Sequence, residues 1–488
     1  GTYDLSALTN ITNVESFTGS TGDDTLALSA AQSSTLNIDG ANGNDTVQFT
    51  EAGTYDLSAL TNITNVESFT GSTGDDTLSV SAAQSSTLNI DGANGNDTVQ
   101  FTEAGTYDLS ALTNITNVES FTGSTGDDTL SVSAAQSSTL NIDGADGNDT
   151  VQFTEAGTYA LSALTDITNV ESFKGSTGDD TLSVSAAQSS TLNIDGANGN
   201  DTVQFTEAGT YDLSALTNIT NVESFTGSTG DDTLALSAAQ SSTLNIDGAN
   251  GNDTVQFTEA GTYDLSALTN ITNVESFTGS TGDDTLSISA AQSSTLNIDG
   301  TDGNDTVQFT EAGTYDLSAL TNITNVESFT GSTGDDTLSI SAAQSSTLNI
   351  DGTDGNDTVQ FTEAGTYDLS ALTNITNVES FTGSTGDDTL SVSAAQSSTL
   401  NIDGADGNDT VQFTEAGTYA LSALTDITNV ESFKGSTGDD TLALSAAQSS
   451  TLNIDGADGN DNVQFTEAGT YDLSALTNIT NVESFTGS

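Results

Sequence analysis

The chain is a tandem array of one 52-residue unit. The unit, which opens GTYDLSALTN and closes VQFTEA, occupies residues 1–52 and recurs to residue 468, giving nine repeats. They start at residues 1, 53, 105, 157, 209, 261, 313, 365 and 417, and residues 469–488 open a tenth copy. Self-similarity at this period predicts an array in which each repeat buries its apolar face only against its neighbours. We therefore expect the function to lie in the repeat and not in a single pocket.

The residue types that the chain lacks exclude most enzyme chemistry. It contains no His, Cys, Trp, Met, Pro or Arg, and its only basic side chains are Lys174 and Lys434. A nucleophile with a histidine base, a thiolate, a zinc site and an arginine clamp on phosphate all need absent residues. Paired carboxylates could hydrolyse glycosides, but they need two different environments, and the acidic positions here recur from repeat to repeat. We expect that the protein is not an enzyme.

The formal net charge of −68 indicates which partners the chain can have. Nucleic acids and anionic membranes need basic patches, so both are excluded as direct partners, and cations are expected instead. No stretch approaches the roughly 18 apolar residues of a membrane span, and no signal-peptide pattern is present. Because the sequence begins and ends inside the repeating pattern, we interpret it as a segment of a longer product.

The apolar residues predict an all-β fold. They alternate with polar residues in short runs, such as Leu26 with Leu28 and Val47 with Phe49, between Gly, Asn and Asp turns. The economical architecture is a right-handed parallel β-solenoid with about two coils per repeat. A shorter coil would run from about residue 25 to 44, and a longer coil from about residue 45 to 76. Stacking in this register would place Asn, Thr and Phe ladders along the coil.

Two features leave alternatives open at this stage. The residues Leu5, Leu8, Ile11, Val14 and Phe17 step by three, which predicts a bent strand or a short 3₁₀ helix. A hydrophobic content of 33% with a strong net charge also lies near the composition of disordered chains. The periodic placement of the apolar residues favours folding when a counter-ion is present.

One motif occurs twice in each repeat. Residues 19–27 and residues 40–48 both fit the pattern G-x-x-G-[DN]-D-T-[LV]-x. This pattern resembles the glycine- and aspartate-rich nonapeptide of RTX (hemolysin-type) calcium-binding proteins, and the longer phrases resemble the repeat regions of large type I-secreted bacterial surface adhesins. In that family, consecutive turns on one edge share Ca²⁺, which takes six to eight oxygen ligands.

The resemblance implies that Ca²⁺ is the cofactor and that the motif aspartates are its ligands. By position, these are Asp24, Asp45, Asp76, Asp97, Asp128, Asp149, Asp180, Asp201, Asp232, Asp253, Asp284, Asp305, Asp336, Asp357, Asp388, Asp409, Asp440 and Asp461. Stacked in one file about 5 Å apart, these anions would repel each other without a cation. The alternative is that the aspartates only cap backbone amides in turns.

The motif departs from the RTX pattern in two ways. In the first repeat, the second glycine of that pattern is Ser or Ala. The motifs also do not abut, because residues 28–39 and residues 49–70 lie between them. Successive turns can share an ion only if each intervening stretch completes one coil.

These observations lead to one functional prediction and one alternative. The prediction is a structural, extracellular protein at a bacterial cell surface, in which a calcium-stabilised rigid solenoid forms an adhesin stalk or a filament shaft. Such segments could associate head to tail or laterally. The alternative is a solenoid surface that binds ice or glycan, although no strand of the T-x-T type is present to build a flat threonine array.

Overall fold

The computed structural model of the chain describes residues 1–8 and 13–487. Repeat two, residues 53–104, contains the elements that recur along the chain, and each strand is named here by its sequence. The elements are the TYD strand (Thr54–Asp56), a 3₁₀ helix (Leu57–Ala59), the IT strand (Ile63–Thr64), the SFT strand (Ser68–Thr70), the TL strand (Thr77–Val80), a short α-helix (Ala82–Ser85), the NID strand (Asn89–Asp91) and the TVQF strand (Thr98–Phe101).

The same elements return at 52-residue intervals with few differences. In repeats seven to nine, a 3₁₀ helix replaces the short α-helix, at Gln344–Ser346, Gln396–Ser398 and Gln448–Ser450. Residues 5–7 of repeat one and residues 317–319 of repeat seven form turns where the other repeats have the first 3₁₀ helix. The tenth copy contributes Leu473–Ala475, Ile479–Thr480 and Ser484–Thr486.

The open choice between a bent strand and a 3₁₀ helix is thereby resolved. The residues equivalent to Leu5 begin a 3₁₀ helix in repeats two to six, eight and nine, and the residues equivalent to Ile11 begin the IT strand. Ile11 itself lies outside the described residues. Asp56 stabilises this helix, because its side chain accepts hydrogen bonds from the backbone N–H groups of Ser58 and Ala59.

The chain divides into two compact units. The first comprises residues 1–234, 243–253 and 270–273, and the second comprises residues 235–242, 254–269 and 274–488. In the first unit, the TYD strands of repeats one to four each begin a six-stranded sheet with the order TYD, TL, TVQF, SFT, NID, IT. A further sheet of this unit joins Ser16–Thr18, Asn37–Asp39 and Ile63–Thr64.

The second unit repeats this order. The TYD strands of repeats six, seven and eight each begin a six-stranded sheet, and Thr418–Ala420 begins a four-stranded sheet that ends at Ser484–Thr486. Strand pairs within these sheets are parallel, as at Thr262–Asp264 with Thr285–Ile288. The prediction of a strand-rich, all-β fold with parallel stacking of repeats is confirmed.

The register shows how far the chain travels between paired strands. Thr54 lies opposite Thr77, Thr77 opposite Thr98, and Thr98 opposite Ser120. Hydrogen bonds between the turns that precede these strands span the same separations, which are 23, 21 and 22 residues.

These steps correct one of the two predicted coils. The shorter predicted coil matches the step from the TL strand to the TVQF strand. The longer predicted coil does not match, because the TVQF strand already pairs with the SFT strand of the following repeat. More than two steps consequently fit into each 52-residue repeat.

The core consists of the apolar residues that the alternation of apolar and polar residues predicted to face inward. In repeat two, Phe69, Leu78, Val80, Ile90 and Val99 are buried. Across strands, however, unlike residues stack: Val99 lies opposite Phe121, which lies opposite Ile142. The expected phenylalanine ladder is therefore absent from this sheet, whereas threonines do lie opposite each other at Thr77 and Thr98.

Aromatic side chains close the core at one corner. The rings of Phe101 and Tyr107 stack with centroids 3.7 Å apart, and Phe121 lies 6.3 Å from Phe101. The Tyr107 hydroxyl donates a hydrogen bond to the carbonyl of Glu103. Its polar atom is thus satisfied although the side chain is buried. Among the described residues, no helix has the length and apolar character needed to cross a bilayer.

Candidate functional site

The acidic turns stack on one another through hydrogen bonds from backbone to side chain. The N–H of Gly53 donates to Asp76 Oδ1 at 2.8 Å. The N–H of Asp76 then donates to Asp97 Oδ1 at 2.7 Å, and the N–H of Asp97 donates to Glu119 Oε2 at 2.9 Å. Each step joins one turn to the turn of the next paired strand. We call this set of four turns the acidic ladder.

The first motif aspartate of the ladder is fully engaged. Asp76 is 2% exposed, and its Oδ2 accepts a 2.6 Å hydrogen bond from the N–H of Ser72 in its own turn. Both carboxylate oxygens therefore accept from backbone amides, since Oδ1 is bonded to Gly53. The equivalent Asp128 adds a 2.9 Å bond from the Ser124 hydroxyl. This aspartate acts as the turn-capping acceptor that the alternative interpretation predicts.

The second motif aspartate is only half engaged. Asp97 is 1% exposed, and its Oδ1 is bonded to Asp76, but its Oδ2 is buried without a hydrogen-bond partner among the described residues. A buried carboxylate oxygen without a partner is costly, because desolvation is not offset. The same unpartnered Oδ2 recurs in eight repeats, at Asp45, Asp97, Asp149, Asp201, Asp305, Asp357, Asp409 and Asp461.

Backbone surrounds this oxygen closely. A Cβ added to Gly92 would lie 2.7 Å from Asp97 Oδ2 and would collide with the carbonyl oxygen of Asn117. Gly92 is therefore required for close approach and not for its own dihedral angles. Asn117 adopts a left-handed conformation with φ of 52°, which turns the chain at this level of the ladder. A carboxylate oxygen and a carbonyl oxygen thus both lie close to the α-carbon of Gly92.

The electrostatics of the second motif aspartate follow from its burial. Burial raises the pKa of the Asp97 carboxyl, the hydrogen bond from Asp76 opposes this rise, and the charges of Asp76 and Glu119 add to it. The same causes raise the pKa of Asp149, Asp201, Asp305, Asp357, Asp409 and Asp461. The second motif aspartate therefore lies where negative charge is disfavoured, a situation that a cation would relieve.

The remaining acidic residues of the turns are also hydrogen-bond acceptors. Asp75 Oδ1 accepts from the N–H of Asn96 at 2.8 Å. Asp91 Oδ1 accepts from the N–H of Ala93 at 3.1 Å and from Asn117 Nδ2 at 2.7 Å. Asp75 is exposed and Asp91 is half-buried, and both stabilise the turns through these hydrogen bonds. Most of the carboxylates in this region therefore serve the backbone.

The structure places the predicted residues in pairs. Asp24 with Asp45, and Asp76 with Asp97, are brought together as expected from their spacing of 21 residues. The predicted continuous file of motif aspartates is not formed, because Asp97 is followed in the ladder by Glu119 and not by Asp128. Within residues 1–8 and 13–487, no three acidic side chains converge as a group that could hold a metal ion.

Sequence reasoning did not identify the glutamate of the ladder. Glu119 belongs to the phrase NVESFTG, whose turn has no Gly-Asp signature. The signal that could have found it is Asn117, because Asn tolerates a left-handed conformation and marks a turn two residues before the glutamate. Oε2 of Glu119 accepts a hydrogen bond from the N–H of Asp97, just as Oδ1 of Asp97 accepts one from the N–H of Asp76.

The oxygen atoms at Asp97 Oδ2 and the Asn117 carbonyl are of the type that binds hard cations. Carboxylate and carbonyl oxygens are the ligands that Ca²⁺ prefers. If Ca²⁺ bound here, Asp97 and Asn117 would supply only part of the six to eight oxygens that this ion requires. No protein-family model matches the chain, and comparison with curated proteins gives no significant match.

Proposed function

We propose that this chain is a structural, extracellular repeat protein of a bacterial cell surface. In this proposal, the parallel sheets belong to a right-handed β-solenoid that Ca²⁺ stabilises, and the solenoid forms the stalk of an adhesin or the shaft of a filament. The observation that carries the proposal is the unpartnered, buried Oδ2 of the second motif aspartate, recurring once per repeat in eight repeats.

The charge of the chain supports a cation-dependent fold. With 70 acidic and two basic side chains, the net charge of −68 opposes compaction. A divalent ion beside Asp97 would offset the charges of Asp97, Asp76 and Glu119, which the ladder holds close together. Calcium is the cation proposed because the ligands offered are oxygen atoms only.

Linkage provides the mechanism of stabilisation. An ion that binds the folded chain and not the unfolded chain shifts the equilibrium toward folding by RT ln(1 + [L]/Kd) at each site. At a calcium concentration of about 100 times Kd, each site would contribute about 2.7 kcal/mol. A chain that is secreted unfolded through a type I system would then fold when it meets calcium outside the cell.

A calcium titration of the whole chain tests this proposal. Circular dichroism and light scattering would be followed from excess chelator to about 10 mM CaCl₂, with MgCl₂ as the matched control. The proposal expects a calcium-specific gain in β signal or in the midpoint of thermal unfolding. A β spectrum and midpoint that are unchanged by chelator would contradict it and would leave a metal-independent structural fibre. Light scattering also reports self-association of the segments.

A triple variant locates the ion. Asp97→Asn, Asp149→Asn and Asp201→Asn change three second-turn aspartates, so calorimetry should find three fewer calcium ions per chain. The matched control changes three first-turn aspartates, Asp76→Asn, Asp128→Asn and Asp180→Asn, and should leave the stoichiometry unchanged where the variant folds. Equal losses in both variants would assign the ion to the shared turn and not to the second aspartate.

One observation favours a ligand-binding surface as a second candidate function. The outward side chains Thr54, Thr77, Thr98 and Ser120 lie opposite one another and form an uncharged column across one sheet. Each of these residues comes from a different strand, so the column depends on the register in which the strands pair. Asp56 and Asp143 flank it on the neighbouring column of the same face. Glycan-array or ice-affinity measurements on the chain, compared with a Thr77→Lys variant, test this function.

A further inference from the structure

Repeats four and nine differ from the others at three linked positions. They carry Ala160 and Ala420 where the other repeats have Asp, and Asp166 and Asp426 where the others have Asn. They also contain the only two lysines, Lys174 and Lys434, at a position that is otherwise Thr. Because the neighbouring repeats are nearly identical in sequence, the effect of each change can be read directly from the structure.

The first change removes a cap. In repeat three, Asp108 accepts hydrogen bonds from the N–H groups of Ser110 and Ala111, at 3.0 and 3.2 Å, at the start of the 3₁₀ helix. Ala160 occupies this position in repeat four, and its side chain has no atom that can accept a hydrogen bond. The start of the helix Leu161–Ala163 is therefore left without a side-chain cap.

The second change removes a tether between repeats. Asn114 Nδ2 donates to the carbonyl of Leu88 and, at 3.2 Å, to the carbonyl of Ser85, at the end of the short helix of the preceding repeat. Asp166 replaces this asparagine in repeat four. A carboxylate has no N–H to donate and is repelled by carbonyl oxygens. Accordingly, Asp166 is exposed, whereas Asn114 is half-buried.

The third change does not restore what the other two remove. Lys174 Nζ lies 3.3 Å from Asp195 Oδ2, and the two side chains are 40% and 29% exposed. Ion pairs at this exposure contribute little to stability, since solvent screens them and side-chain entropy opposes them. The pair also lies within the SFT and NID strands, away from the uncapped 3₁₀ helix. Repeat four therefore loses up to four side-chain to backbone hydrogen bonds without an equivalent gain.

We propose that repeats four and nine are the points at which the array opens locally, and that each opening gives a lysine-specific protease access to the paired strand backbone at the lysine. In a repeat array, stability is a sum of repeat and interface contributions, so the repeat that lacks its cap and its tether opens first. The two lysines lie five repeats apart at the same position, and cleavage at both releases a segment of five repeats' length, residues 175–434.

Native-state proteolysis of the whole chain by trypsin tests the proposal, because the sequence contains only two sites for this enzyme. Where opening and closing are fast, the cleavage rate follows the population of the open form. The restoring double variant Ala160→Asp with Asp166→Asn keeps Lys174 and repairs only repeat four. It should slow cleavage after Lys174 at least about tenfold, because up to four side-chain to backbone hydrogen bonds are recovered. Cleavage after Lys434 serves as the control within the same molecule and should not change.

A second variant separates local opening from the mere presence of lysine. Thr122→Lys places a lysine in repeat three at the same position, where the partner Asp143 lies in the same register as Asp195 does for Lys174. Residue 122 should be cut at least about tenfold more slowly than Lys174, since its repeat keeps the cap and the tether. Equal cleavage after residue 122 and Lys174, or an unchanged ratio of the Lys174 and Lys434 rates in the double variant, would overturn the proposal.

Discussion

The backbone N–H of Asp76 donates a 2.7 Å hydrogen bond to Oδ1 of Asp97, which is 21 residues further along the chain. The two residues occupy the same position of the same motif, yet they have different roles. Asp76 uses both carboxylate oxygens to bind backbone amides, whereas Asp97 leaves one oxygen beside a carbonyl. The difference arises within the two turns, because the N–H of Ser72 donates to Asp76 Oδ2, whereas the N–H of the equivalent Ala93 donates to Asp91 Oδ1.

Replacing Asp97 by Asn should stabilise the metal-free protein. The Asn Oδ1 can still accept from Asp76, and Nδ2 would take the place of the unpartnered oxygen and donate toward the Asn117 carbonyl. Satisfying a buried polar atom in this way is worth about 1 kcal/mol. Urea unfolding in excess chelator would measure the gain, and a triple variant with Asp149→Asn and Asp201→Asn would enlarge it. A lower urea midpoint in the variant would contradict this interpretation of the site.

The same substitution at Asp76 should have the opposite effect. Its two oxygens accept from Gly53 and Ser72, so an amide group would place an N–H against one of these donors. We expect Asp76→Asn, and more strongly Asp76→Ala, to lower the free energy of unfolding by about 2–4 kcal/mol, because buried N–H groups lose their acceptors. Urea unfolding under the conditions used for Asp97→Asn measures this, and equal effects at the two positions would disprove their different roles.

Two substitutions in one turn, one to glycine and one from glycine, should change stability in opposite directions. Ala145 has φ of 72°, where an alanine is strained and a glycine is not, so Ala145→Gly should raise stability by about 0.5–1 kcal/mol. Gly147, two residues later, has φ of 144°, and a Cβ there would lie 2.8 Å from the Gly126 carbonyl. Gly147→Ala should therefore destabilise the turn. Thermal unfolding of both variants would check the signs, and a stable Gly147→Ala protein would refute the close stacking.

The buried tyrosines predict a loss of stability at high pH. Burial raises the pKa of Tyr107 to about 12, assisted by the charges of Asp128 and Glu103, whereas an unfolded tyrosine ionises near 10. The stabilisation is complete below pH 10 and is lost as the pH rises toward 12, because the unfolded chain releases its protons first. The thermal midpoint should be lower at pH 11.5 than at pH 9. Tyr107→Phe should weaken this dependence, and a flat profile would be inconsistent with burial of the hydroxyl.

Much of the fold could be predicted from the local pattern of residues. The alternation of Leu26 with Leu28 and of Val47 with Phe49 identified strands, and these residues are buried as expected. The spacing of 21 residues between Asp24 and Asp45 also predicted one stacked pair of turns. Local periodicity indicates which face of a strand a side chain lies on, and the two motifs are close enough in sequence to lie one step apart.

The second step could not be predicted in the same way. Between Asp45 and Asp76 the chain contains the TYD, IT and SFT strands, and sequence alone does not say which of them pairs with the TVQF strand. Pairing with the SFT strand brings Glu67 over Asp45. The choice depends on packing, such as Val47 against Phe69, and packing is decided by contacts between distant residues. The different roles of the two motif aspartates depend instead on the residue before each motif, since Asp91 binds the N–H of Ala93, whereas the equivalent residue before the first motif is Thr70.

The register also bears on how such a protein changes in length over generations. Each six-stranded sheet takes its strands from three consecutive repeats in one fixed order, as from Thr54 to Thr168. Recombination that inserts or deletes a whole 52-residue unit therefore rejoins the same strand types across the junction. An insertion only as long as the step between two paired strands would instead bring together strands that never pair. Gain or loss of complete units can therefore change the length of the protein without requiring any new strand pairing.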